Sequence, residues 1–361
     1  MKNRTREAIV LGFAGDLMLG GEPVQYAQER GLAVTYPFKA LSPALRALDI
    51  LFVNLEGPLF ENKAAALKKP LLLSNHPGVV EVLKLPKICV CTLANNHILD
   101  HGPEALAKTQ KFLDKHGIYH IGAGRTKAKA DRALILEQAG WRIGCVAFTT
   151  DGPGVRSIIA RNGNPGCASL RDTPALLRQV RRLKEEAELV IVMLHWGREF
   201  FEYPDPSQVR LSHALVDAGA DVIAGHHPHA VQAVEEYKGA VIAYSLGHLF
   251  MPPFRLPGNG PVFYPRPASK EFVLLRAELK EEGRGSVDFI AGGLNPQFKL
   301  RPFNRIGLQR FRSRLDDLAY PLRNGSYSRF WRHYQRWRSR ELELLLGCPA
   351  RRMARQPKRE L

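Results

Sequence analysis

Short apolar runs alternate with amphipathic segments along most of the chain, and this alternation predicts the order of its strands and helices. Uninterrupted apolar runs indicate buried strands, whereas apolar residues spaced three or four positions apart indicate helices. Strands are predicted at about residues 8–14, 50–53, 87–93, 133–137, 143–148, 189–194, 220–224, 231–235, 240–244, 271–279 and 286–291. Helices are predicted at about residues 37–48, 103–116, 173–186 and 206–218. Strands that alternate with helices are typical of an α/β fold.

Two stretches carry neither pattern and are predicted to be long loops. Residues 149–169 are rich in glycine, proline and asparagine, and residues 249–269 are rich in proline and aromatic residues. Long loops in a globular domain often carry function. We therefore expect both loops to lie at the rim of a site.

Polar residues suited to metal binding follow five of the predicted strands. Each is ordinary when taken alone, because Gly-Asp begins many turns, strand-end glutamates are often solvated, and single histidines are commonly buried in cores. Five such residues at one edge of a sheet are much less common by chance than one. An open α/β sheet also gathers its ligands at the carboxyl ends of its strands. The mixed nitrogen and oxygen donors favour Zn, Mn or Fe over Ca. The sequence therefore predicts a divalent metal site, with two ions, at Asp16, Glu56, Asn96 with its neighbour His97, His195 and the cluster His226–His229.

The histidine cluster is the densest of these signals. His227 and His229 alternate after the apolar run 220–224, so in an extended segment both side chains point the same way. Neutral imidazole is a common ligand for transition metals. A polar turn with solvated histidines is the plainer alternative for the cluster taken by itself.

Residues beside these ligands are candidates for catalysis and substrate binding. His97 can serve as an acid or base, and Asp100 is close enough in sequence to fix its tautomer. The aromatic run that begins at Trp196 and continues through 200–203 is interpreted as a wall on the substrate side. The predicted substrate-binding residues are Asn54, Trp196, Arg198, Glu199, His226 and His248.

Composition and the number of cysteines predict a globular protein in the cytoplasm. The apolar fraction of 45% and the charged fraction of 24% are ordinary for a globular protein, and 361 residues allow two domains. No apolar run approaches the roughly 20 residues of a membrane span. The short run 8–13 leads into Gly15 without a signal-peptide cleavage site and is interpreted as a strand. The five cysteines lack a disulfide-like spacing, so we expect a cytoplasmic protein.

The net charge of +17 is concentrated near the C-terminus. Residues 301–361 contain 16 Lys and Arg against 5 Asp and Glu, an excess of 11, which leaves +6 for the first 300 residues. We expect a core domain over 1–300 and a basic helical extension over 301–361. In the extension, Phe330, Tyr334 and Trp337 share one helical face beside a stripe of arginines. Two alternatives stay open: the helix lies on the anionic inner face of a membrane, or it docks on the core with its arginines solvated.

Six motifs together resemble the CapA-type poly-γ-glutamate capsule-synthesis family, a branch of the calcineurin-like metallophosphoesterase superfamily. They are spread in order over residues 8–292 and are GDLMLG (15–20), NLEGPL (54–59), NNHILDHG (95–102), LHWGREF (194–200), DVIAGHHPHAVQ (221–232) and YSLGHLF (244–250). The resemblance implies a four-layer αββα sandwich with a metal centre at the strand ends.

The resemblance also implies a role for each matching residue. The implied metal ligands are Asp16 and His229 on a first ion, Asn96, His195 and His227 on a second, and Glu56 between the two. His97 is implied to be the transition-state donor or general acid, oriented by Asp100.

Three positions depart from the pattern of these families. Met18 stands where phosphoesterases carry a ligating histidine, which implies fewer ligands for the first ion. Glu56 replaces the usual bridging aspartate. His248 stands where this family usually shows asparagine.

Three functions are compatible with these features. The leading prediction is a hydrolase that cleaves a γ-glutamyl amide or a phosphate ester with metal-activated water, because a bound ion lowers the pKa of its water toward neutrality. The alternative is a non-catalytic accessory protein that binds an anionic polymer during capsule synthesis or export. Nucleic-acid processing is disfavoured, because the core carries an excess of only 6 positive charges.

Overall fold

Two large sheets form the centre of the protein in its computed structural model, which describes residues 6–69, 71–150, 158–161, 163–255, 262–263, 270–280, 283–323 and 325–346. The strands are β1 (Ile9–Leu17), β2 (Ile50–Leu55), β3 (Ile88–Thr92), β4 (Tyr119–Ile121), β5 (Ala123–Gly124), β6 (Leu134–Gln138), β7 (Trp141–Thr149), β8 (Gly166–Cys167), β9 (Leu189–His195), β10 (Val222–His226), β11 (Val234–Tyr237), β12 (Ala240–Ala243), β13 (His248–Phe250), β14 (Phe254–Arg255), β15 (Val262–Phe263), β16 (Glu271–Lys280), β17 (Gly283–Leu294) and β18 (Leu300–Pro302). The helices are α1 (Glu22–Glu29), α2 (Ser42–Arg46), α3 (Val80–Leu83), α4 (Gly102–Lys115), α5 (Lys127–Ala130), α6 (Thr173–Glu186), α7 (Pro206–Asp217), α8 (Arg305–Ala319) and α9 (Tyr327–Leu346).

Both sheets combine a set of parallel strands with antiparallel strands, which lie at one edge of the first sheet and at both edges of the second. The first sheet has the strand order β18-β17-β16-β13-β1-β2-β3-β4, and the second has the order β11-β12-β10-β9-β7-β6. Strands β1 to β4 are parallel to one another, and so are β7, β9, β10 and β12. Parallel strands end at one edge of a sheet, so the residues that follow them converge there.

The two sheets pack face to face, and helices cover their outer faces. Phe13 of β1 and Phe52 of β2 stack with ring centroids 5.1 Å apart and share one core with Ile191 of β9. The opposite face of the first sheet forms a second core with helix α4, for which Val53 and Leu106 are examples. Helices α6 and α7 pack on the second sheet in the first core. The predicted four-layer αββα sandwich is therefore confirmed.

Local signals in the sequence account for the main helix ends. Asp172 caps α6 by accepting a hydrogen bond from the Ala175 amide, and Asp205 forms a capping box with Gln208 at the start of α7. The helix predicted over 37–48 is wrong in its length, because the structure has a 3₁₀ turn at Tyr36–Phe38 and then the five-residue α2. Pro43 lies in the first turn of α2, where a missing amide hydrogen is tolerated, so the second piece begins there.

The predicted rim loops contain short strands. Strand β8, within 149–169, pairs with β5, and β14 pairs with β15 within 249–269. Residues 151–157, 162, 256–261 and 264–269 of these loops lie outside the described residues.

The basic C-terminal region packs on the sandwich. Strand β18 pairs with β17 and spans the boundary predicted at residue 300. Helix α8 lies within the region predicted to be helical and buries Phe311 in the main core. Helix α9 buries Trp331 and Tyr334 against Phe201, whereas Arg336 on its other side is exposed. Docking on the core, one of the two alternatives for the extension, is thus the arrangement in the structure. None of the described helices is long and apolar enough to cross a membrane.

Candidate metal centre

Strand register places the candidate ligands of the first sheet side by side. Asp16 at the end of β1 is aligned with Asn54 of β2 and with His248 of β13. Asn54 Nδ2 donates to Asp16 Oδ1 at 2.8 Å, which fixes the carboxylate. Glu56 follows directly after β2.

The second sheet contributes histidines from two neighbouring strands. His195 of β9 is aligned with His226 of β10. His226 Nε2 lies 3.1 Å from the Ala14 carbonyl oxygen, so this histidine joins the two sheets behind the site. Beyond β10, His227 and His229 both have positive φ, 95° and 53°. Such backbone conformations are uncommon for residues other than glycine and cluster at functional sites.

One group of ligand atoms comes from Asp16, His229 and His248. His229 Nδ1 lies 3.2 Å from Asp16 Oδ2 and 3.1 Å from His248 Nε2. One ligand atom from each of the three residues lies within 4.8 Å of the others. Ligands at about 2.0–2.2 Å from one ion are themselves about 3–3.5 Å apart, so these spacings fit a shared ion.

A second group surrounds His227. Ligand atoms of Glu199, His227 and His229 lie within 4.8 Å of one another. The rings of His195 and His227 have centroids 4.8 Å apart, and His195 Nε2 lies 2.8 Å from Asn96 Oδ1. The structure thus brings together all six ligands predicted from the sequence.

Glu56 lies between the two groups. Its carboxylate is fully buried, and neither oxygen has a hydrogen-bond partner among the described residues. Glu56 Oε1 lies 3.9 Å from His195 Nε2 and 3.9 Å from His229 Nε2. A buried carboxylate without partners is costly, and a cation is the usual means of compensating it. The residues present therefore fit a divalent metal.

Burial and neighbouring charges shift the pKa values of the site residues in opposite directions. Burial, and then the charge of Asp16, raises the pKa of Glu56 well above its ordinary value. Burial opposes a charge on His229 as well, but Glu56 and Asp16 outweigh burial and raise its pKa to about 9. Burial lowers the pKa of His227 to about 4 and also depresses that of His195. His195 and His227 are therefore neutral, which is the form in which imidazole binds metals.

His97 stands beside the ligands in a chain of hydrogen bonds. His97 Nδ1 lies 2.6 Å from Asp100 Oδ2, and Lys69 Nζ donates to Asp100 Oδ1 at 2.5 Å and to the Asn96 carbonyl at 2.9 Å. Burial lowers the pKa of His97. Burial favours the protonated form of Asp100, but His97 and Lys69 outweigh it and lower the pKa of that carboxyl. Asp100 is therefore ionised, which assigns a proton to His97 Nδ1.

Several of the residues that the sequence predicts to bind substrate are buried in contacts within the protein. Trp196 is only 1% exposed and donates its indole N–H to the Tyr244 carbonyl oxygen at 3.0 Å. His226 and Asn54 are fully buried in the contacts described above. Arg198 lies over the Phe201 ring, 5.7 Å from its centroid. The predicted aromatic wall is wrong for Phe201, which packs on α9.

Glu199 and His248 are placed among the metal-ligand groups rather than at a separate substrate surface. Two further residues of the site were missed in the sequence. Lys69 lies between the short apolar runs 64–67 and 71–73, 27 positions before Asn96, and carries no pattern. Asn95 is buried and donates to the Leu55 carbonyl at 2.8 Å, while its own oxygen accepts from the His97 amide at 3.2 Å. An Asn-Asn pair does not reveal which member is structural.

Comparison with known proteins identifies similar sequences over the sandwich. A family model described as "Bacterial capsule synthesis protein PGA_cap" matches residues 10–252. The "Capsule biosynthesis protein CapA" of Bacillus anthracis is 34% identical over 255 residues, which cover 69% of this chain and 61% of that protein. The "PGA biosynthesis protein CapA" of Bacillus subtilis is 30% identical over 250 residues, which cover 69% of this chain and 64% of that protein. The chain thus spans about three fifths of the length of these curated relatives.

Solved structures also align with the chain. A structure described as a novel phosphatase from Mycoplasma pneumoniae aligns with 86% of this chain and 100% of its own, at 11% identity and a TM-score of 0.49.

Proposed function

This chain belongs to the family of bacterial capsule synthesis proteins, and from that premise we propose that it is a metal-dependent hydrolase acting on an anionic substrate of capsule-polymer metabolism. The substrate classes that fit are a γ-glutamyl amide and a phosphate ester. The proposal is supported above all by Glu56, a fully buried carboxylate that lacks hydrogen-bond partners among the described residues and is surrounded by histidines.

Two sets of side chains would hold the ions. The ligands proposed for the first ion are Asp16, His229 and His248, those for the second are Asn96, His195 and His227, and Glu56 is shared. His248 supplies a nitrogen beside Asp16 even though the chain has Met18 in place of a histidine. Glu199 lies close enough to His227 to be an additional ligand. Mn, Fe and Zn all accept such mixed donors.

Divalent ions in this site would supply the Lewis-acid chemistry that activates water for hydrolysis and stabilises developing negative charge. The side chains of the protein have separate tasks. Asp100 holds the proton of His97 on Nδ1, which leaves Nε2 to exchange a proton with the reacting groups. Lys69 keeps Asp100 ionised and contributes a positive charge beside an anionic substrate.

The substrate class follows from the charges and from the relatives. Two of the relatives are named for capsule or PGA biosynthesis. A carboxylate-rich polymer or a phosphate ester is attracted to a centre that combines divalent ions with Lys69. We therefore place cleavage of a γ-glutamyl amide first and phosphate-ester hydrolysis second.

The experiment that tests the proposal is turnover with defined metals. Protein stripped with a chelator is reloaded with Mn²⁺, Fe²⁺ or Zn²⁺ and assayed with γ-glutamyl p-nitroanilide, p-nitrophenyl phosphate and poly-γ-glutamate. Glu56→Gln serves as the site variant. Metal-dependent turnover that the variant loses supports the proposal, whereas equal turnover by stripped and loaded protein refutes it.

A second candidate is an accessory protein that binds an anionic polymer without cleaving it. It is favoured by a relative from Mycobacterium tuberculosis that is named "Probable polyglutamine synthesis accessory protein" and is 34% identical over 211 residues. The sequence of residues 301–361 has an excess of 11 basic residues, a charge that attracts such a polymer. Salt-sensitive binding of poly-γ-glutamate without any turnover, retained in Glu56→Gln, would favour this function.

A further inference from the structure

A buried arginine connects helix α9 to the segment next to the metal centre. Arg338 is only 2% exposed, and its Nε and Nη2 both donate to the Phe200 carbonyl oxygen, at 2.8 Å and 2.6 Å. Its Nη1 donates to Glu341 Oε2 on the same helix. Burying a guanidinium is unfavourable unless its donors are satisfied, so these bonds hold Arg338 and Phe200 in a defined geometry.

Phe200 in turn contacts the histidine loop, which we define as residues 227–229. The Phe200 amide donates to the Pro228 carbonyl oxygen at 2.6 Å, and the Phe200 ring lies 5.9 Å from the His229 ring between centroids. Phe200 has a φ of 64°, a conformation that bulky residues rarely adopt. Three residues with positive φ therefore meet here, Phe200, His227 and His229. Such conformations persist only where the surroundings determine them.

Helix α9 makes further bonds to the same stretch. The Glu202 amide donates to the Tyr334 hydroxyl at 2.8 Å, and the Tyr327 hydroxyl donates to the Pro204 carbonyl oxygen. From the other side, Gln232 Nε2 donates to the Phe201 carbonyl oxygen at 2.9 Å. Residues 200–204, the bridging segment, are thus held between α9 and the chain that carries the histidine loop.

We infer that α9, acting through Arg338 and the bridging segment, is a positioning element of the metal centre. The expected effect on metal binding rests on the proposed function, whereas the contacts between α9 and the bridging segment do not. Helix α9 lies beyond residue 252, where the match to the family model ends. The metal centre therefore depends on a part of the chain that the shared family region does not include.

The test compares two arginines of the same helix in the full-length protein. Arg338→Met removes the donors to Phe200, and Arg336→Met is the matched control, because Arg336 is exposed. Mn²⁺ affinity is measured by calorimetric titration, and hydrogen exchange is followed at the amides of Phe200 and His227. Circular dichroism and thermal unfolding verify that each variant is folded at the assay temperature.

We expect Arg338→Met to weaken Mn²⁺ binding by about 10–100-fold, the loss typical for groups that orient metal ligands. Exchange at Phe200 and His227 should accelerate in the same variant, and Arg336→Met should match wild type in both measurements. Arg338→Lys, which restores a single donor, should recover part of the affinity. Unchanged affinity and unchanged exchange in folded Arg338→Met would overturn the inference.

Two further outcomes are separated by the design. If Arg338→Met does not fold, Tyr334→Phe, which removes only the acceptor for the Glu202 amide, replaces it, and faster exchange at Phe200 is the result required. If wild-type protein binds no Mn²⁺, Fe²⁺ or Zn²⁺, the proposed function fails. The exchange measurement alone then decides whether α9 positions the histidine loop.

Discussion

The substitution Glu56→Gln should have opposite effects on stability in chelated and metal-loaded protein. Glu56 is fully buried, and its environment opposes the charged form, as the raised pKa of this carboxyl indicates. Glutamine has nearly the same shape but no charge. We therefore expect the chelated variant to be more stable than chelated wild type, and the loaded variant to gain far less from metal.

The magnitude follows from the contacts of the carboxylate. An unsatisfied buried polar group costs about 1–3 kcal/mol and a charged one costs more. Because glutamine keeps a polar amide at this position, we expect the chelated variant to recover only the difference, on the order of 1 kcal/mol. At a free Mn²⁺ concentration of about 1,000 times Kd, binding stabilises wild type by about 4.1 kcal/mol, and a variant with a 100-fold weaker Kd gains about 1.4 kcal/mol. For a chain of this length, 1 kcal/mol corresponds to about 1–2 °C in melting temperature.

The assay is thermal unfolding of wild type and variant, each with EDTA and with Mn²⁺. Glu185→Gln is the matched control, because Glu185 is exposed on α6 and lies outside both ligand groups. Wild type should show a Mn²⁺-dependent rise larger than that of Glu56→Gln by about 3–5 °C. The reasoning is refuted if chelated Glu56→Gln melts at or below wild type and both proteins respond equally to Mn²⁺.

Three further predictions concern single elements of the site and the tail. His97→Ala should lower turnover about 10²–10⁴-fold while metal content stays at the wild-type value, and full activity in this variant would remove His97 from the mechanism. His248→Ala should weaken binding of one ion and leave the other, so that calorimetric titration with Mn²⁺ separates into two steps; an unchanged titration would exclude His248 as a ligand. Deletion of residues 325–361 removes α9 and exposes Phe201, so the truncated protein should melt at a lower temperature and aggregate, and an equally stable truncated protein would contradict docking of α9 on the core.

The strand-end residues were predictable because the fold concentrates them. Long parallel strands are visible as apolar runs, and their carboxyl ends share one edge, so the order of ligands in the sequence becomes proximity in space. Asp16 and His195 could be identified in this way. His248 was identified as a site residue, but its place beside Asp16 depends on the pairing of β13 with β1, a contact across 232 positions that no local pattern specifies.

The surroundings of the ligands were harder to predict because they depend on tertiary contacts. Trp196 resembles a substrate wall in the sequence, yet its indole lies over Gly225 of β10, which has no side chain to block it, and is buried with a hydrogen bond to the Tyr244 carbonyl. The basic residues of α9 suggest a helix that lies on an anionic membrane surface. In the structure, however, Arg338 points inward and donates to the Phe200 carbonyl oxygen. Lys69 carries no signal, because its role arises only where its loop meets Asp100.

The proposed function requires above all that the strand-end residues bind divalent metal. The most direct measurement is the metal content of purified protein after equilibrium dialysis against Mn²⁺, Fe²⁺ or Zn²⁺, determined by elemental analysis. The double variant His227→Ala/His229→Ala, verified as folded by circular dichroism, is dialysed in parallel. We expect up to two ions per wild-type chain and their loss in the double variant. Wild type without bound metal, or a double variant with the same metal content as wild type, would contradict this expectation.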